Sequence, residues 1–434
     1  MKYFKLFICV LLVALLLSGC SFRVSSSIDD LISPLSPFGD NADVKDALDR
    51  YAQNGYTLKM PNYGSNISSY NFYDIDGDKT DEAVAFYEPS DNLGTINLAL
   101  IKKTGKEWQV VCNIAGIGKD VYSLDFAQLN GDGNIELVVC WDAISNSTNH
   151  ELAVYKFINN GKKSELVMLG QTKTVNTCYI VDLLSDGDDK LLLFEVNSGS
   201  SASPKAELYS LTNEYFESLG ETKLDARIAS FVSIKSEKID GICRVYADAI
   251  SSDGSTMITE LLHWSSDYDS VISPFYRYST ARTEGTARKA LLKSMDVDGD
   301  NTLEIPLDYS FGKLPKDVNA VEFQDYRHTT LIHNSYGLFV PDDKYVLVIP
   351  DEYIYFFSVK YSKEKRELTL TNKSTKKKVL SVMPVLKATY SEGKYSGYST
   401  VLEASGYCYL VKQGDDREIT FTKKEIQKLI KSAD

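Results

Sequence analysis

The sequence predicts a mainly β protein: a β-propeller of about five four-stranded blades, followed by a small α+β domain. Three observations lead there. The composition favours strands, an acidic turn recurs at a fixed spacing, and that recurrence fades in the last hundred residues. The 434 residues include 28 Tyr and 18 Phe but only four His, and aromatic side chains favour the pleated surface of a sheet. Apolar residues make up 43% and charged residues 25%. That is a normal globular balance, and it argues against global disorder or a polytopic membrane protein. A formal charge of −13 argues against a nucleic-acid partner, which calls for a basic footprint.

The elements follow in order. Lys2 and Lys5 precede an uncharged apolar run from Leu6 to Leu17, shorter than the about 20 residues of a membrane-spanning helix and of the size of a secretory core. The run ends in Leu17-Ser18-Gly19-Cys20. This tetrapeptide resembles the bacterial lipobox. The resemblance implies a signal peptide over residues 1–19, a diacylglycerol on Cys20, and a protein held on the extracytoplasmic face of the cell membrane. Residues 20–39, rich in Ser and Pro, read as a flexible tether. Over 43–54, Val44, Ala47, Leu48 and Tyr51 have helical spacing, and Gly55 ends the helix. Cys112, Cys140, Cys178, Cys243 and Cys408 are odd in number and scattered, so they are expected to be free, buried thiols rather than a disulfide framework.

The repeat governs the next 280 residues. Tyr73-Asp74-Ile75-Asp76-Gly77-Asp78, Ala127-Gln128-Leu129-Asn130-Gly131-Asp132 and Met295-Asp296-Val297-Asp298-Gly299-Asp300 are variants of one turn, and residues 182–190 give a weaker copy. Asp74, Gln128 and Asp182 are spaced by 54 residues. The longer interval to Asp296 leaves room for a degenerate copy: a strand over 228–234, a turn, and a strand over 242–249. In each copy a strand enters the turn and an apolar strand leaves it. Two more alternating segments follow, such as 95–101 and 107–112. Four antiparallel strands repeated in this way are the plan of a propeller blade, and each blade needs its neighbours to bury both faces.

The acidic turns resemble the calcium loops of FG-GAP/VCBS repeats, the blades of integrin-α-like propellers. The likeness covers about residues 57–335 and is strongest at 74–82 and 296–304. It implies structural Ca²⁺ held by Asp74, Asp76, Asp78, Thr80 (carbonyl) and Glu82, and by Asp296, Asp298, Asp300, Thr302 (carbonyl) and Glu304. Hard oxygens at alternate positions suit this ion, and crowded carboxylates would repel one another without one. Gln128, Asn130, Asp132 and Glu136 make a weaker version. In the third copy, Leu184 and Lys190 replace two ligands, and Lys190 can supply the positive charge itself.

The propeller with its leading helix is expected over 40–335 and the α+β domain over 336–434. This last part holds 17 Lys and Arg against 13 Asp and Glu, the reverse of the chain as a whole. Thr422-Lys423-Lys424-Glu425 is a capping box that opens a final helix. No HExxH or GxSxG motif occurs, and Gly116-Ile117-Gly118-Lys119 lacks the first Gly and the Ser/Thr of a phosphate-binding loop. His150, His263, His328 and His333 are placed as structural or surface residues. The expected function is a lipid-anchored, non-catalytic binding or scaffold module for an extracytoplasmic protein or glycan. The alternative is an extracytoplasmic enzyme acting on polysaccharide or cell-wall substrate. A funnel lined by carboxylates, Arg and aromatics would favour the enzyme, and an apolar one the scaffold.

Overall fold

The structure, a computed structural model, describes residues 40–144, 148–161, 163–196, 203–391 and 393–433. The signal peptide, Cys20 and the tether lie outside the described residues. Among the described residues the chain is mainly strand, arranged in six antiparallel sheets of four or five strands that follow one another along the sequence, with a two-stranded ribbon of Tyr276–Arg277 and Arg282–Thr283 between the fourth and fifth. None of the described helices is long and apolar enough to cross a membrane.

The first sheet contains Glu82–Pro89, Asn97–Thr104 and Glu107–Ala115. Its first strand is split in two, because Tyr56–Lys59 and Asn71–Tyr73 pair along the same edge of Glu82–Pro89. The second sheet is Asp120–Ala127, Glu136–Asp142, His150–Asn159 and Ser164–Val175. The third is Thr177–Val181, Lys190–Glu195, Lys205–Thr212 and Tyr215–Lys223. The fourth is Ile228–Ile239, Ile242–Ser251, Met257–Ser265 and Ser270–Ile272. In the second, third and fourth sheets, strands adjacent in sequence are adjacent in space. The degenerate fourth copy has no acidic loop. A tight hairpin replaces it, with Asp240 and Gly241 both at positive φ, as a two-residue turn of this hand requires.

The sheets stack face to face, because their strands are apolar on both sides. In Glu82–Pro89, Val84 and Phe86 join the second sheet's Leu137, Val139 and Trp141 in one core. The alternate residues Ala83, Ala85 and Tyr87 point the other way. The same division continues through the second and third sheets, the third and fourth and the fourth and fifth. The outward face of the first sheet is covered by helix α1 (Asp40–Tyr51), through Val44, Ala47 and Leu48.

The fifth sheet contains Ile305–Tyr309, Asn319–Arg327, Thr330–Val340 and Tyr345–Ile349, with the C-terminal strand Ile430–Ser432 on its edge. Its first strand is reduced to a bridge between Met295 and Glu304. The expected division between residues 335 and 336 falls inside the strand Thr330–Val340. The sixth sheet spans Phe357–Ser362 to Tyr407–Gln413. It shares one core with the fifth, in which Leu338 and Leu347 pack with Leu368, Val382 and Tyr409. Helix α2 (Lys423–Leu429) has the expected capping box: Thr422 Oγ accepts from Glu425 N at 3.3 Å, and Glu425 accepts from Thr422 N at 2.6 Å. On the far face of the sixth sheet, Val385, Cys408 and Leu410 are covered by Tyr390, Tyr395 and Tyr398.

Candidate functional site

Loops 74–82, 128–136, 182–190 and 296–304 share one backbone form. The fourth and sixth residues have positive φ in all of them: Gly77 and Lys79, Gly131 and Gly133, Ser185 and Gly187, Gly299 and Asn301. Acidic side chains satisfy the turn amides. Asp74 accepts from Lys79 N at 2.9 Å, and Asp296 from Gly299 N at 2.6 Å and Asn301 N at 3.0 Å. Thr80 N and Thr302 N donate to Asp78 and Asp300. The ninth residue fastens the loop to its sheet. Glu82, Glu136 and Glu304 are fully buried and accept from Ile75 N, Leu129 N and Val297 N at 3.0, 2.8 and 2.6 Å.

The loops differ in where positive charge comes from. In the first, Asp74, Asp76 and Asp78 bring ligand atoms within 4.8 Å of one another. Lys102 also reaches this loop and donates to Asp76 at 2.9 Å, Asp78 at 2.8 Å and Glu82 at 2.5 Å. Burial works against this ammonium, but the bonds to Asp78, Glu82 and Asp76 outweigh it and hold its pKa above the ordinary value. In the second loop, Gln128 and Asn130 leave only Asp132 and Glu136 as carboxylates, and Lys156 pairs with Asp132. In the third, Lys190 donates to Asp186 at 3.2 Å and to the Asp188 carbonyl at 3.0 Å.

The fifth loop is different. Asp296, Asp298, Asp300 and Glu304 all place a ligand atom within 4.8 Å of one another. Among the described residues, no lysine ammonium is bonded to them. Arg327, half exposed, bonds Asp325 at 2.6 Å and stands 3.8 Å from Asp300. Glu304 Oε1 is buried and without a partner. Burial pushes the Glu304 carboxyl up to about 9, with the charges of Asp298 and Asp325 adding to the effect. A buried carboxylate oxygen aimed into a group of acids fits a hard cation, so Asp296, Asp298, Asp300 and Glu304 could hold one. The first loop could hold one where Asp74 and Asp76 each keep a buried oxygen unpartnered, although there the ion meets Lys102.

A second feature was not anticipated. The first strands of the second, third and fourth sheets border a cavity of about 540 Å³, closed on one side by residues 62–67. That segment follows Asp120–Ala127 through Asn62 N to Val121 O at 3.1 Å and Tyr63 N to Tyr122 O at 2.8 Å. Ser123, Asp125, Thr177, Cys178 and Tyr179 line it, with Ile234 from the fourth sheet. Asp125 is its one carboxylate, and burial raises its pKa to about 6. Tyr63 stacks on Tyr122 at 5.1 Å, and Tyr122 on His150 at 3.5 Å. His150 is thereby structural, buried with its Nδ1 against Asp142. Cys112, Cys140, Cys243 and Cys408 are buried free thiols, and Cys178 is a half-buried one. Gly116 and Gly118 serve packing: a Cβ at either position would collide with Trp141. No protein-family model matches the chain, and no curated protein matches it.

Proposed function

We propose that the chain is a lipid-anchored extracytoplasmic binding module. In this reading its sheets form a propeller-like arc, with α1 where a closing blade would pack, and Ca²⁺ at loop 296–304 is a structural ion. Leu17-Ser18-Gly19-Cys20 supports the anchor, and the loop form common to four repeats supports the blade plan. The observation that carries the binding role is the pocket where three first strands converge, since a concave cavity of this size with a few convergent polar groups is the usual form of a small-ligand site. Hydrolysis of a glycoside ordinarily uses two carboxyl groups on either side of the scissile bond. The described lining offers Asp125 alone, which favours binding over the hydrolytic alternative.

The test is affinity capture from native membranes, with and without Ca²⁺, comparing the wild-type protein with Ile67→Arg at the exposed rim of the pocket. The reading requires a ligand retained by the wild type and lost from the variant. Equal capture by both would overturn it. Separately, Cys20→Ser is expected to release the protein from the membrane fraction.

A further inference from the structure

Resting on the pocket being a ligand site, we infer that its ligand presents a primary ammonium group to Asp125. Three features point to that chemistry. First, Asp125 is the only charged side chain in the described lining, and no described residue gives it a hydrogen bond or an ion pair. The nearby Cys140 and Cys178 thiols are raised by burial and stay neutral. Lys235, on the adjoining strand, spends its ammonium on the Ser294 carbonyl at 3.1 Å. A neutral ligand would leave this half-buried carboxylate desolvated and uncompensated, and an anion would be repelled. A divalent ion would find one acid where it needs several oxygens.

Second, the walls suit the remaining N–H donors of an ammonium. The hydroxyls of Ser123 and Thr177 border the same cavity as Asp125 and can accept. Third, Tyr63 is 40% exposed at the pocket. An aromatic face beside a bound cation adds attraction. The cavity, about 540 Å³, admits an amino sugar or a linear polyamine. Both carry the same recognised group.

Titration calorimetry on the full chain in detergent separates these sources. Glucosamine and spermidine are the probes, and N-acetylglucosamine and glucose are the uncharged counterparts. At least one amine should bind, and Asp125→Asn should weaken it by about tenfold or more, in keeping with the loss of a charge-assisted bond. Binding of glucosamine alone identifies the amino sugar, and binding of spermidine alone the polyamine. Asp125→Asn should melt no lower than wild type, because it removes a desolvated charge, so the comparison stays interpretable. Equal amine binding by wild type and variant would overturn the inference. So would a neutral sugar binding where no amine does, although the pocket would remain a ligand site. Failure of every probe would count against both readings.

Discussion

Lys102 separates the first acidic loop from the fifth. Its ammonium touches three carboxylates that would otherwise repel one another. Replacing it by Met should cost about 1–3 kcal/mol, seen as a lower melting temperature, and millimolar Ca²⁺ should restore part of the loss by entering the vacated place. In the wild type, Ca²⁺ should raise the melting temperature through the fifth loop, by about 2.7 kcal/mol of stability at a hundred times its Kd. Asp298→Asn with Asp300→Asn should abolish that shift. No shift in the wild type would remove calcium from the account. Glu260 gives a pH prediction. It is fully buried, accepting from Asp225 N, Thr283 Oγ1 and Ser273 Oγ, and burial pushes it up to about 7. A carboxyl raised on folding binds its proton more tightly in the native state. Its stabilisation is therefore full below about pH 4.5 and is lost as pH rises through about 7, a change on the order of 3 kcal/mol. Urea titrations across that window should show the decline, and Glu260→Gln should make it shallower. The loop acids were legible because residue type and spacing fix them. Lys102 and Lys156 are 54 residues apart like the loops themselves, but they escaped the sequence reading because they lie a strand away from the turns they serve. Asp125 was not legible, because its isolation depends on side chains from three sheets.

At the scale of elements, the sequence conveyed strands and caps better than their assignment to sheets. The segments 345–349 and 367–372 of the α+β part are strands. The capping box opens α2, because its reciprocal bonds need only neighbours in sequence. The leading helix begins three residues earlier than periodicity indicated, since Asp40 and Asp43 favour a first turn. The Gly116–Gly118 pair, rejected as a phosphate loop from its sequence, makes room for Trp141 instead. Gly116→Ala should therefore destabilise the protein by about 1–3 kcal/mol through overpacking, while leaving ligand binding intact, as measured by urea unfolding and by capture. Leu48→Ala on α1 should cost about 2–5 kcal/mol, because that side chain is fully buried against the first sheet.

At the scale of the whole molecule, the last hundred residues are tied into the stack at two points. Ile430–Ser432 pairs with Tyr345–Ile349, and one core joins the fifth and sixth sheets. This tie escaped the sequence reading because neither partner belongs to the repeat. Deleting residues 423–434 should expose that edge and core, lowering the melting temperature and promoting aggregation in size-exclusion chromatography. Expression of residues 336–434 alone should give no folded product, since the fragment begins inside a strand. The coverings at the two ends have a further consequence. Stacked repeats expose an adhesive face at each end unless something seals it. Here an amphipathic helix closes one end and a tyrosine-rich segment closes the other. The number of sheets is thus counted by its stoppers, and among the described residues both outer faces of the stack are covered. End-to-end addition of further sheets is thereby disfavoured at both covered faces.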